Sequence, residues 1–576
     1  MTTFPPASVS RLWICWAVVL LTCLMSPRPA AAVDPFLDWY TIETEHFLIH
    51  YHSGLDKLPH KVAAMCEEAH IMLVPFFDWI PESKTHVVLD DTVDTANGFA
   101  GVVPRNRIRL FLYGPRPRSS LGDYDDWLRS LIIHEYAHIL HIDNKGWVPE
   151  LINDVLGKTA APNQVLPRWY TEGIATYQES VQTTGGRVRS SLFRMYLRVA
   201  YLEGKFLTLD EIAANPVDWP GGTVPYLYGS HFLAYVAETR GESFFRRFHT
   251  AYGARIVPYS INTTAREVLG EDFTELYDEW TAHMAAQFEA ELLKVRMEGV
   301  TPLEWLGTTG ELADRPLARP GHGAATFYAA PPNEPAGIYA HDLATGQQQL
   351  VLFTPIGGQT YSWDPTGRFA VYHVNRTWRN SYAYNDLVLH DVQTGRERQL
   401  TSGLRARDPD FEPTQGRSLV FVRNDTGRTS LEVLDVATSK RRVLVEAGLA
   451  AGSQFDAPRF SPDGRLVVVS FWRAGHGRNL YVVDTRTGHL VQLTWDRALD
   501  QSPSWSPDGR YLLFASDRTG FYDIYALDVT SLTQTLDRLG PRPASKRVSP
   551  EPTARVKLPT WRVTRVERGV FEPQVV

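Results

Sequence analysis

Hydrophobic and polar positions change their period twice along this chain. Residues 39–51 are rich in β-branched and aromatic side chains, with a turn signal at Thr44-Glu45. Residues 58–76 carry apolar positions at helical spacing, and residues 85–89 and 108–113 are short strand-like runs. This predicts a mixed α/β region over residues 33–119. From residue 120 to about 300 the alternation is replaced by helical patterns at 127–142, 168–181, 226–238 and 273–295, separated by Pro/Gly clusters such as 216–222. Beyond residue 301 short β runs return, now at a fixed interval.

That interval is a repeat. Ser461-Pro462-Asp463-Gly464-Arg465 recurs as Ser506-Pro507-Asp508-Gly509-Arg510, with weaker copies from Asp364 to Arg368 and from Glu412 to Arg417; their prolines are 48, 49 and 45 residues apart. A second signature runs in phase with it: an apolar strand ending in Asp342, Asp391, Asp435, Asp484 or Asp528. Five copies predict five four-stranded blades of a β-propeller over residues 301–576. A blade cannot bury both faces alone, so blades stack around an axis, and the Pro-Asp-Gly turn puts glycine where positive φ is needed. Leu558-Pro559-Thr560-Trp561 echoes Ser502-Pro503-Ser504-Trp505 and is a candidate start for a sixth blade, which leaves the count at five or six. These repeats resemble the Tol-type, WD-like propeller repeats of bacterial periplasmic proteins.

Length and composition fit this division. At 576 residues the chain exceeds one core, and its net charge of −7, with no basic run, gives no reason to expect a nucleic-acid partner. Arg11, an apolar run over 12–25 and Ala30-Ala31-Ala32 follow the order of a signal peptide cleaved near Ala32, which predicts a periplasmic or secreted protein. The run is short for a membrane span; a retained anchor is the alternative. Loss of Arg11 and Arg28 takes the charge to −9. Of three cysteines only Cys66 survives cleavage, so no intrachain disulfide can form.

The chemistry lies in His134-Glu135-Tyr136-Ala137-His138. On a helix, residues four apart share a face, so both imidazoles can reach one metal, with Glu135 beside it as a general base for a metal-activated water. Leu131, Ile132, Ile133, Ile139 and Leu140 make the flanks apolar, and two histidines and a glutamate buried without a role would be costly. His46, His50 and His52 share one strand parity and read as ordinary sheet residues.

Three segments together, His134-Glu135-x-x-His138, Trp169-x-x-Glu172-Gly173-x-Ala175-x-Tyr177 and Tyr228-Gly229-Ser230, resemble the gluzincin zinc metallopeptidases in their peptidase MA-like bacterial branch. Residues 141 and 144 are His and Asn, which excludes metzincin spacing; His141 reads as a helix-end residue. The resemblance implies an α+β metallopeptidase domain over 33–300 and a Zn2+ ion held by His134, His138 and Glu172. It implies Glu135 as general base and an oxyanion-stabilising tyrosine, for which Tyr228 is chosen ahead of Tyr226 and Tyr177. Gly173 and Ala175 are expected to let the Glu172 helix pack closely on the metal helix. A peptide-binding edge strand would come from residues 108–113 or from the loop 97–101.

The leading expectation is an exported zinc metallopeptidase acting on a peptide or protein substrate, its propeller controlling access or recruiting an envelope partner. The alternatives are a propeller-based envelope binding protein on a non-catalytic platform, and a zinc hydrolase with a non-peptide substrate.

Overall fold

The computed structural model describes residues 34–575 except 35, 56, 215, 256–258, 305, 307–312, 332, 355–357, 447–452 and 541–549. The export segment lies outside the described residues. Among them, no helix is long and apolar enough to cross a membrane.

The first sheet has five strands: β1 (Trp39–Glu43), β2 (Phe47–His52), β3 (Thr85–Asp90), β4 (Gly98–Gly101) and β5 (Arg107–Phe111), in the order β1-β2-β3-β5-β4. β2, β3 and β5 run parallel, while β4 pairs antiparallel with β5 and forms one edge. Residues 97–101, read from sequence as a loop, thus contain the edge strand. Two glycines bounding only Phe99 and Ala100 carry no strand signal that a sequence pattern could detect.

Helix α1 (Leu58–Phe77) and helix α2 (Trp127–Asp143) cover this sheet with one continuous core, including Phe47, Val62, Cys66, Val87, Leu110, Ile133 and Ala137. α2 starts where the Asp126 carboxylate accepts from the amides of Leu128 and Arg129, an N-cap that satisfies two otherwise orphaned donors. Beyond it come α3 (Trp147–Leu156), α4 (Arg168–Gln182), α5 (Ser191–Leu202), α6 (Leu209–Ala213), α7 (Val224–Arg240), α8 (Ser243–Gly253), α9 (Ile261–Leu269) and α10 (Phe273–Glu298). Helices α4 and α7 cross at glycines. A Cβ on Gly173 would lie 2.6 Å from the Gly229 carbonyl carbon, and one on Gly229 would collide with the Trp169 carbonyl oxygen. Gly173 therefore serves the contact with α7, not the expected contact with the metal helix.

The remaining strands form five blades, each with its own sheet of four antiparallel strands, to which the fourth blade adds Ala554–Arg555 as a fifth, parallel strand beside Leu490–Gln492. Their innermost strands are Ala313–Arg319, Tyr361–Trp363, Ala406–Phe411, Gln454–Phe460 and Gln501–Trp505. The two sequence signatures meet physically: Arg368 pairs with Asp391 and Arg465 with Asp484, each tying a Pro-x-Gly-Arg turn to the end of the third strand. Leu558-Pro559-Thr560-Trp561 does not start a sixth blade. Thr560–Arg562 is the outermost strand of blade 5, paired with Asp523–Asp528.

A sixth position in the ring is nevertheless filled. Inner strands carry a bulge at a residue of positive φ just before proline: Arg315, Asp408, Ala457 and Ser502. Glu572, followed by Pro573, has the same conformation, and its carboxylate accepts from the Arg315 amide, while Gln574 meets Ser504. The C-terminal tail thus lies between blades 5 and 1 where a sixth inner strand would be. Behind it stands α5, whose Leu192 and Met195 pack with Tyr522 and Phe571.

The propeller is fastened to the first domain by buried charge. Arg405 reaches Asp91 and Asp94, each at 2.7 Å, and Arg116 pairs with Asp408. Trp472 of blade 4 packs on Tyr124, ring centroids 4.9 Å apart.

Candidate metal centre

His134 and His138 project from one face of α2, their Nε2 atoms 3.1 Å apart. Oε2 of Glu172, one turn into α4, lies 3.5 Å from His134 Nε2 and 3.2 Å from His138 Nε2. A zinc ion with ligands at about 2.0–2.1 Å in tetrahedral array spaces its ligand atoms about 3.3–3.4 Å apart, so the three donors have the separation that such an ion requires. Among the described residues they are the one group of histidine, cysteine and acidic side chains with ligand atoms converging in this way.

Tautomer and charge agree with this donor set. His134 Nδ1 lies 2.6 Å from the carboxylate of Glu179, so the ring hydrogen sits on Nδ1 and Nε2 presents its lone pair to the centre. Glu179 is held by Arg187, whose Nε donates to it at 3.1 Å. Arg187 Nη2 also lies 3.1 Å from His134 Nδ1, but both are donors there, and the two groups simply share the Glu179 carboxylate. Burial alone would lower the His134 pKa; the carboxylates of Glu172 and Glu179 outweigh it and raise it to about 9. Burial would raise the Glu172 pKa, but His138 and His134 hold it well below the usual range.

Glu135 is buried, and desolvation raises its pKa. It lies against the edge strand: a Cβ on Gly98 would stand 2.6 Å from Glu135 Oε1. A cleft of about 630 Å3 opens over the centre, lined by Gly98 and Phe99 of the edge strand, Trp127 and Leu131 of α2, and Arg168 and Tyr226.

Tyr228 is not in this cleft. Its side chain is buried against Phe206 and Trp280, and its hydroxyl accepts from the Leu207 amide at 3.4 Å. Two residues separate by about 200° around a helix, so Tyr226, not Tyr228, faces the metal helix. Its ring lies 6.1 Å from that of His134, with the Arg187 guanidinium over it at 4.9 Å. Its hydroxyl has no hydrogen-bond partner among the described residues. Tyr177 donates to Glu242 at 2.7 Å, away from the cleft. His141 is enclosed by Phe77, Tyr170 and His249 and takes no part in the centre.

Glu179 and Arg187 went unremarked in the sequence. Glu179 was open to detection, since it follows Glu172 by seven residues, two turns along the same face. Arg187 lies in the single 3₁₀ turn Arg187–Arg189 after α4, where periodicity offers no guide.

Comparison with known proteins bears on the propeller. Residues 415–553 match the family model of the TolB β-propeller domain. The Tol-Pal system protein TolB of Gluconobacter oxydans (strain 621H) is 33% identical over 123 residues, 21% of this chain and 26% of that protein. An uncharacterized protein of Treponema pallidum (strain Nichols) is 24% identical over 520 residues, 84% of this chain and 44% of that protein. The chain thus spans less than half the length of these curated relatives. Among solved structures, TolB from Acinetobacter baumannii is similar at 22% identity over 38% of this chain and 50% of that chain, with a TM-score of 0.29. The protein therefore carries a TolB-like, five-bladed β-propeller behind an α-rich N-terminal region.

Proposed function

We propose that this protein is a zinc-dependent metallopeptidase of the gluzincin type, working in the periplasm or outside the cell. The reading rests on one observation: His134, His138 and Glu172 converge at 3.1–3.5 Å with Glu135 beside them on the cleft wall. A zinc ion held by these three residues supplies Lewis-acid chemistry, acidifying a water and polarising a carbonyl.

The rest is the work of the chain. Glu135 takes the proton of the attacking water and returns it to the leaving amine. Glu179 keeps His134 in its metal-binding tautomer, and Arg187 holds Glu179. The Tyr226 hydroxyl donates to the developing oxyanion, taking the role first given to Tyr228. The outer edge of β4, unpaired among the described residues, receives an extended peptide as an added strand, which favours peptide bonds over other substrates.

The decisive experiment uses residues 33–576, with zinc measured by elemental analysis and cleavage assayed on a peptide library. One zinc per chain, with turnover lost in Glu135→Gln, is the expected result. A protein that is zinc-free and inactive after zinc loading sinks the proposal.

The propeller favours a second reading, on its match to the TolB domain model and its 33% identity to a Tol-Pal system protein. On that reading the chain is an envelope protein-binding module, and the first domain serves as its platform. Retrieval of the same envelope partner by Glu135→Gln and by the parent protein supports it, and the two readings are compatible in one molecule.

A further inference from the structure

The inner ends of the blades surround a cavity of about 750 Å3 between the propeller and the first domain. Six residues face it: the five at pre-proline bends, Arg315, Asp408, Ala457, Ser502 and, from the tail, Glu572, and Thr360 ahead of the inner strand of blade 2. Five carry small or acidic side chains. Arg315 alone places a long cation at the crowded axis, on a residue only 3% exposed.

The other arginines on the cavity wall have partners, Arg116 in Asp408 and Arg118 in Asp314 and Glu572. The Arg315 guanidinium makes no hydrogen bond or ion pair among the described residues, and its Nε and Nη2 are buried without an acceptor. The nearby carboxylates bond elsewhere: Glu572, whose charge acts on Arg315 most strongly, to the Arg315 backbone amide and Arg118, Asp410 to Arg459, and Asp408 to Arg116 and Arg407. On the same wall the side-chain carbonyl of Gln501 is likewise buried without a partner. A guanidinium is charged at every physiological pH, and burying its N–H donors without an acceptor is strongly unfavourable. Planar recognition of a carboxylate is what its fork of donors is shaped for.

We propose that the axial cavity is a binding site for a carboxylate-bearing peptide segment, with Arg315 as its anion anchor. The site is separate from the metal centre, although Ala96 lies on the wall of both cavities. It gives the propeller reading a ligand chemistry and does not depend on hydrolysis. The carboxylate is either the end of a chain or an Asp or Glu side chain.

Three fluorescein-labelled hexapeptides separate these sources. One ends in a free carboxylate and has no acidic side chain; one is amidated and carries a single Asp; one is amidated with Asn in its place. Anisotropy is read on Glu135→Gln protein in EDTA, so that neither cleavage nor metal contributes. The proposal expects at least one carboxylate peptide to bind at least tenfold more tightly than the Asn peptide, and identifies the source by which one does. Arg315→Gln should abolish that preference. Ser502→Trp, which fills the cavity from another blade, should weaken binding by a similar factor, and melting temperatures of both variants near that of the parent exclude a folding defect. Equal binding of all three peptides, or a preference that survives both variants, overturns the proposal and leaves the metallopeptidase reading untouched.

Discussion

Gly98 and Glu135 touch across the rim of the cleft, so that the place of a Cβ on Gly98 is 2.6 Å from Glu135 Oε1 and 2.9 Å from Leu131 Cδ1. The edge strand can come this close to the Glu135 carboxylate only because residue 98 has no side chain. Gly98→Ala must push the carboxylate aside without touching the metal ligands. We expect zinc content and melting temperature near those of the parent, with kcat/KM down about 100-fold, the effect of a misplacement near 1 Å. Parallel assays of zinc, melting and turnover check this; full activity would show that Glu135 is free to move.

Glu179 is expected to tune the metal site. Glu179→Gln keeps an acceptor for His134 Nδ1 but loses the charge, and zinc affinity should fall about 10- to 100-fold, measured by chelator competition. The same change strips buried Arg187 of its counter-charge, with an expected loss of about 3–5 kcal/mol in urea unfolding. The double variant Glu179→Gln/Arg187→Leu should recover stability without recovering affinity, which separates the two effects.

Much of this was legible in the sequence. The spacing of His134 and His138 on an apolar helix carried their geometry, because one helical turn brings two side chains together whatever surrounds them. Five blades were legible because an apolar strand ending in Asp recurs five times, in phase with four copies of a turn running from Pro to Gly-Arg. Relations between distant elements were hidden. Tyr226 and Tyr228 look alike in a string, and only the rotation of α7 against α4 decides between them. The tail's Glu572-Pro573 copies the bulge of the inner strands, but a two-residue signal without its blade falls below any repeat. β4 is similarly mute, since an edge strand between two glycines is defined by its partner.

The α4–α7 crossing should be sensitive to a single methyl. In Gly229→Ala the new carbon meets the Trp169 carbonyl oxygen, so the helices must part, at a cost of about 1–3 kcal/mol. Glu172 lies next to Gly173 at that crossing, and zinc affinity should fall with stability. Gly222→Ala, whose added carbon has open space around it, is the matched control. Urea unfolding with and without zinc measures both; equal behaviour of the two variants would remove the crossing as the device that positions Glu172.

His373 links propeller stability to acid. It is buried on the cavity wall, where desolvation first and the Arg116 charge second push its pKa down to about 3. The unfolded chain takes up a proton below about pH 6.5, and the folded chain refuses it until about pH 3. Stability from this group is therefore whole above pH 6.5 and declines as pH falls, by about 1.4 kcal/mol per unit. His373→Gln removes that term, so the slope of unfolding free energy between pH 6.5 and 4.5 should be shallower by about that amount. An unchanged slope would mean that His373 accepts its proton in the folded state.

The tail is expected to close the ring. Phe571 packs on Tyr522 at 4.6 Å, with Arg118 over its ring at 5.7 Å, and Glu572 anchors on the Arg315 amide. Blades 5 and 1 have this segment between their inner strands, whereas blades 3 and 4 are held by the Arg407–Asp456 pair across their own interface. Weakening the tail by Phe571→Ala/Glu572→Ala should thus act locally. Amide exchange should quicken first in Ala313–Arg319 and Gln501–Trp505, the strands flanking the tail, while Ala406–Phe411 keeps its protection. Because α5 packs behind the tail and follows Arg187 directly, the loosening should reach the metal centre as a modest loss of zinc affinity. Uniform exchange across all five inner strands would instead mean that the propeller holds itself closed, with the tail lying on it as a passenger.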